Sequence, residues 1–138
     1  ETLAGGAGAH PDADGASALH THMTNTRNTP IEALESAYPV RVLEYRIAER
    51  TGGAGKQRGG DGIVRSYQFL TETTLTLLTE RRRRAPYGLQ GGKAGKRGQN
   101  RLHIDGEVDA EVGKGVIRVP AGAILTIRTP GGGGWGEP

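Results

Sequence analysis

Glycine comes in clusters in this chain, and nothing else in the sequence constrains the fold as strongly. The clusters are Gly5-Gly6-Ala7-Gly8, Gly52-Gly53-Ala54-Gly55, Gly59-Gly60-Asp61-Gly62, Gly91-Gly92-Lys93-Ala94-Gly95 and Gly131 to Gly134. A residue without Cβ lets two backbones approach closely or lets the chain take positive φ. There are 24 glycines in 138 residues, and they show no three-residue period, so a collagen helix is excluded. Two readings stay open. The clusters are flexible connections, or they are ordered, extended, polyproline-II-like segments packed backbone to backbone. Flexible linkers mix Gly with Ser, whereas only Ser17, Ser36 and Ser66 occur here.

Between the clusters lie short β-like runs. Val40 to Ile47 is rich in β-branched and aromatic residues, and Ile63 to Leu70 places Ile63, Arg65, Tyr67 and Phe69 on one face. Thr73 to Thr79 carries Leu75 and Leu77 at period two. Leu102 and Ile104, Val108 to Val112, Val116 to Val119 and Ile124 to Thr129 complete the set. Asp105-Gly106 predicts a two-residue hairpin turn, and Pro120-Ala121-Gly122 a turn before the last strand. Thr29-Pro30-Ile31-Glu32 has the capping-box order, with Thr at the cap, Pro first in the helix and Glu at the third position. The expected fold is therefore mainly β. It has short strands in a barrel-like or sandwich arrangement, glycine-rich polyproline-II-like segments, and one short helix near 30–37.

Composition narrows the chemistry. No apolar run approaches the roughly eighteen residues a membrane helix needs. Cysteine is absent, which removes disulfides, thiolate zinc sites and cysteine nucleophiles, and fits a reducing cytoplasm. The stretch opens at Glu1 without an initiator Met or a charged-then-apolar leader, so it is expected to be a C-terminal piece of something larger.

Phosphate loops fail on inspection, because Gly55-Lys56 has Arg50 where a first Gly belongs, and Gly95-Lys96 has Gln90 there. An anion near Lys56, Arg58 or Lys96 is compatible with what is left. On a strand, His20 and His22 face the same side and can share a metal ion, with His10, Asp12 or Asp14 nearby as a third ligand. The plainer alternative is that these histidines bond to loops in a polar pocket. Arg81-Arg82-Arg83-Arg84 invites a nucleic-acid reading, but there are only four Tyr, one Phe and one Trp, and 15 acids offset 18 bases. A solvated or subunit-contacting edge at the end of a strand is the favoured reading. The polar segment from His22 to Asn28 suits an amide- or carboxylate-binding pocket, with Arg27 clamping an anion and Asn25 holding a carbonyl; a capped entry to the helix is the plain alternative. The substrate-binding candidates are thus His20, His22, Asn25 and Arg27.

Several stretches, in order, resemble the C-terminal region of the hydantoinase B/5-oxoprolinase family, which includes related subunits of ketone carboxylases. They are Glu1 to Gly8, His22-Met23-Thr24-Asn25-Thr26-Arg27, Glu32 through Glu35 to Tyr38-Pro39, Gly52 to Gly55 and Arg58 to Gly62. They continue with Thr79-Glu80-Arg81-Arg82, Pro86-Tyr87-Gly88-Leu89, Gly91-Gly92 and Thr129 to Gly134. Each is weak alone; their order and spacing from end to end are specific.

The resemblance implies a single C-terminal domain or fragment, residues 1–138, of a larger hydantoinase B-type subunit. It implies an ATP-dependent hydrolase of cyclic amides such as 5-oxoproline or hydantoins. In such an assembly a hydantoinase A-type ATPase module phosphorylates the amide oxygen and the B module directs hydrolysis. ATP and a divalent metal belong to the full assembly, with no metal ligand carried over onto this segment. The implied partners are the upstream part of the same subunit and the ATPase module, with no nucleic acid and no membrane, in the cytoplasm. The related ketone carboxylase subunits imply an alternative, a non-catalytic small assembly subunit of such a complex. Catalytic residues are unknown on either reading.

Overall fold

The computed structural model describes residues 1–21 and 24–138. Its elements are helix α1 (Ile31–Ala37) and strands β1 (Val40–Ala48), β2 (Gly62–Phe69), β3 (Thr73–Leu77), β4 (Gln99–Ile104), β5 (Val108–Glu111), β6 (Gly115–Val119) and β7 (Ile124–Arg128). Five strands form one antiparallel sheet in the order β1-β2-β7-β4-β5, and β3 pairs with β6 in a separate ribbon. The sandwich form of the expected fold is the one observed. The large sheet has two free edges, β1 and β5, and does not close into a barrel.

Alternation explains which side chains meet. Leu125 and Ile127 of β7, Leu102 of β4 and Phe69 of β2 turn to one face of the large sheet. Leu75 and Leu77 of β3 and Val119 of β6 join them in a single buried cluster with Ala123. Burying a Leu, Val or Phe side chain contributes about 1.5–3 kcal/mol each, so this small cluster is the main apolar source of stability.

The local turn chemistry departs from expectation in two places. The helix starts one residue later than the capping box requires. Pro30 occupies the cap position, no side chain caps the helix, and Glu32 falls one place short of the third helical position. A proline there has no N–H for Glu32 to reach back to. The β4–β5 hairpin holds three residues, Asp105 to Glu107, between the paired Ile104 and Val108. Gly106 supplies the positive φ of 71° at its tip. The turn at Pro120 to Gly122 forms where the sequence places it, with the Ala123 amide donating to the Pro120 carbonyl at 3.3 Å.

The glycine clusters settle the question that composition left open: they are ordered and packed. Gly131 to Gly134 form a buried central segment outside the sheets. Its carbonyls accept from backbone amides of three surrounding segments: Gly132 from Gly53 at 2.9 Å, Gly133 from Ala9 at 2.9 Å and Gly134 from Leu89 at 2.9 Å. Its own amides donate outward, Gly131 to Lys96 at 3.1 Å, Gly132 to Gly60 at 2.8 Å and Gly134 to Lys93 at 2.9 Å. With side chains absent, polar backbone lines the interior, and pairing it internally avoids the cost of burying unsatisfied peptide groups.

Two buried threonines join the bundle to the sheet. The Thr129 hydroxyl donates to the Ala4 carbonyl at 2.6 Å and accepts from the Ile63 amide at 2.8 Å. Thr51 does the same between the Ala48 carbonyl, 2.7 Å, and the Gly62 amide, 2.9 Å.

Candidate functional site

The polar segment singled out in the sequence leaves the bundle at Leu19, whose amide donates to the Gly5 carbonyl at 3.0 Å. His20 is half-buried, with its Nδ1 buried and without a partner among the described residues; Asn28 Nδ2 is in the same condition. Asn25 and Arg27 are exposed. No hydrogen bond among the described residues joins His20, Asn25 and Arg27 to one another. His22 lies outside the described residues, so the paired-histidine reading is not addressed by them. Asp14, one of the expected third ligands, accepts from the Arg58 amide at 2.7 Å instead. Among the described residues, no three His, Asp or Glu side chains group to hold a metal ion, and no described helix is long and apolar enough to cross a membrane.

Arg58, one of the cations considered for an anion, is committed to a carboxylate. Its guanidinium holds Asp61 at 2.9 Å (Nη2 to Oδ1), and the amides of Thr51 and Gly52 each donate to the same Oδ1 at 2.8 Å. The Asp61 amide in turn donates to Ser17 Oγ at 2.8 Å. Burial opposes ionisation of Asp61, but the Arg58 bond and the two amides outweigh it and hold the carboxyl down to about 2.

A folded-state value below the ordinary one stabilises the protein above that ordinary value of 3.8, and the stabilisation is lost as pH falls towards 2. Asp61→Ala removes the acceptor from two backbone amides, and is expected to cost about 3 kcal/mol. Thermal midpoints of the wild-type and D61A subunits should therefore differ widely at pH 6 and converge between pH 4 and 2. A gap that does not change with pH would contradict this role.

A broad concavity lies beside β4 and β5. It is a groove of about 980 Å³ lined by the arginine run, Arg97, Lys114 and the carboxylates of Glu80 and Glu111. Its best-fixed member is Arg82. The Arg82 Nε and Nη2 donate to Asn100 Oδ1 at 3.1 and 3.0 Å, and Nη1 donates to the Glu80 carbonyl at 2.7 Å. Asn100 has no exposed surface, and its Nδ2 donates to Thr79 Oγ1 at 3.0 Å. Gly98 leaves room for the guanidinium, since a methyl there would lie 2.7 Å from Arg82 Nη1. Across the groove Arg97 pairs with Glu111 at 2.8 Å and donates to the Arg82 carbonyl at 2.8 Å. Arg81 adopts a left-handed φ of 57° and faces the Tyr87 ring at 5.6 Å.

The run is thus partly what the sequence favoured, an edge after a strand, and partly something it did not disclose, a seated guanidinium. The available signal was Asn100. The alternation of Leu102 and Ile104 puts position 100 on the inward face, where a polar residue needs a partner.

Fold and groove together define a class of protein, an antiparallel sandwich fused to a glycine backbone bundle, with a cationic recess at its side. The family model for hydantoinase B/oxoprolinase matches residues 1–138, and the chain belongs to that family. It is 44% identical over 138 residues to a 5-oxoprolinase of Dictyostelium discoideum, an alignment covering 99% of this chain and 11% of the relative. Among solved structures it resembles an ATP-dependent caprolactamase from Pseudomonas jessenii, at TM-score 0.77 and 25% identity, over 99% of this chain and 25% of that one. An acetone carboxylase shares the fold at TM-score 0.68 and 20% identity, over 96% of this chain and 22% of that one. The chain spans 11% of the length of the curated 5-oxoprolinase it matches.

Proposed function

We propose that this chain is the C-terminal domain, residues 1–138, of the B-type subunit of an ATP-dependent cyclic-amide hydrolase, in which it acts as scaffold and pocket wall. What carries the reading is the joint likeness, over nearly the whole chain, to a 5-oxoprolinase and to an ATP-dependent caprolactamase. Both names describe ring amides. An amide is a poor electrophile, and phosphorylating its oxygen at the expense of ATP makes ring opening feasible. The ATPase module and the upstream part of the subunit are the partners this chemistry needs, with ATP and a divalent metal held there, in the cytoplasm. The chain's own contribution follows from its organisation, since its most extensive buried polar structure is a backbone bundle that holds segments from both ends of the sequence together. His20, His22, Asn25 and Arg27 remain the proposed substrate-facing residues of its wall. The carboxylase likeness is weaker and concerns the fold alone, so the assembly-subunit alternative has less support.

The test is reconstitution. The full-length subunit with its ATPase partner should open 5-oxoproline, a hydantoin or a lactam only when ATP is present, and residues 1–138 alone should open none. Ring opening without ATP, or by the isolated 138 residues, would overturn the reading. ATP-dependent carboxylation of a ketone in place of ring opening would transfer the chain to the alternative.

A further inference from the structure

We propose that the groove beside β4 and β5 is an oxyanion site for a phosphate-bearing small molecule, with Arg82 as its fixed anchor and Arg83 and Arg84 as its outer cations. The inference does not rest on the functional reading above; it starts from charge that the chain leaves uncompensated. The lining holds six cationic side chains and two carboxylates. Both carboxylates are already engaged, Glu111 by Arg97 and Glu80 by Lys114. Among the described residues Arg82, Arg83 and Arg84 pair with no acid, although they stand next to one another in sequence.

Arg82 is the unusual member. Arg82 is half-buried, and a guanidinium partly withdrawn from water gains from a counter-charge, yet its three hydrogen bonds go to neutral oxygens. Desolvation lowers its proton affinity, opposed by Glu80, although an arginine stays charged at any ordinary pH. Of its five N–H groups, two are left for a ligand after the bonds to Asn100 and the Glu80 carbonyl. The supporting shell is built for this. Asn100 is fully buried and aligned by Thr79, and Gly98 makes room for the guanidinium plane. The left-handed backbone at Arg81 is a strained conformation for a residue with a side chain, and such strain gathers at ligand clamps.

A planar guanidinium fork matches the edge of a phosphate, and a doubly charged tetrahedral oxyanion satisfies several arginines at once. The groove, about 980 Å³, exceeds the needs of a free ion and lies at the upper end of the range for organic ligands. The groove therefore has room for an organic body attached to the phosphate. Among the described residues the arginine run meets one aromatic face, that of Tyr87, too little for a stacked nucleic-acid strand.

The experiment is a calorimetric titration of the full-length subunit at low ionic strength with inorganic phosphate, tripolyphosphate, ATP and a glutamate-rich peptide. Wild-type protein is expected to bind phosphate at least tenfold more tightly than the R83Q/R84Q double variant, whose changes are at exposed positions. Arg82→Lys, which keeps the charge and loses the fork, should weaken binding severalfold while its thermal midpoint shows that it folds. ATP bound more tightly than tripolyphosphate identifies a nucleotide as the source, and equal affinity identifies the phosphate alone as what is read; both uphold the site. Equal phosphate affinity in the wild-type and R83Q/R84Q proteins, or binding of the acidic peptide without phosphate, would overturn it.

Discussion

Replacing Gly132 with alanine is expected to leave no folded subunit. A methyl group on Gly132 would overlap the Ala7 carbonyl oxygen, with the Gly8 amide nitrogen 2.7 Å away. The obstacles are backbone atoms of a segment that is itself hydrogen-bonded, Gly60 to Ala7 at 2.9 Å and Ala7 to Ala16 at 2.9 Å. No rotamer change can relieve the overlap; a whole segment would have to move and release its bonds. Overpacking that displaces backbone costs several kcal/mol, and about 5 kcal/mol is the entire stability of many domains. The contrast is Gly113→Ala, where nothing lies within 4 Å and φ is ordinary. That change is expected to fall within about 0.5 kcal/mol of wild type. Soluble yield and circular dichroism of the two variants side by side decide the matter. A well-folded G132A protein would mean that the bundle is loose.

The second large effect is expected at the buried Arg65, whose guanidinium pairs with the carboxylate of Glu1. Arg65 has no exposed surface, and its Nη2 and Nε reach the Glu1 carboxylate at 3.0 and 3.1 Å. Tyr45 and Tyr67 flank the guanidinium at 4.3 and 5.3 Å, and Arg65 Nε also donates to the Tyr67 hydroxyl at 2.8 Å. Burial, reinforced by Glu1, pushes the Tyr67 phenol well above its ordinary range, so it stays a neutral donor to that carboxylate.

The two partners are not equivalent. A carboxylate that loses its cation can take up a proton, whereas an arginine cannot shed one. Glu1→Gln therefore strands a charge in the interior and is expected to cost about 3–5 kcal/mol. Arg65→Leu leaves a group that can neutralise itself and fills part of the vacated volume, so about 1–3 kcal/mol is expected. Denaturant or thermal midpoints of the two variants give the order directly. Arg65→Leu proving the more damaging would show that packing against the tyrosines, rather than charge, holds this face together.

Arg65 also shows how much could be read in advance. Its place on one face with Ile63, Tyr67 and Phe69 followed from alternation alone, whereas the inward turn of that face and the Glu1 carboxylate that meets the cation did not. The strands were legible for the same reason, because period-two patterning is local. The glycine clusters were not, because the freedom that permits close packing also permits disorder, and only long-range partners decide between them.

The helix start failed because Thr29-Pro30-Ile31-Glu32 fits two registers, and the structure adopts the one in which proline itself is the cap. Nor did proximity in sequence identify a site. His20, Asn25 and Arg27 are near neighbours that the fold does not join, whereas Arg82 and Asn100, 18 residues apart, share a hydrogen-bonded seat. That contact depends on a sheet register which no local pattern reveals.

The central glycine segment comes late in the chain, while the strands of backbone it holds come from residues near 7, 53, 60, 89 and 96. During synthesis those earlier segments leave the ribosome able to make only the bonds they share among themselves, such as Gly60 to Ala7, while the amides of Ala9, Gly53 and Leu89 still lack their glycine acceptors. The bundle is thus closed by its last piece, and its assembly follows translation of that piece instead of accompanying the growing chain.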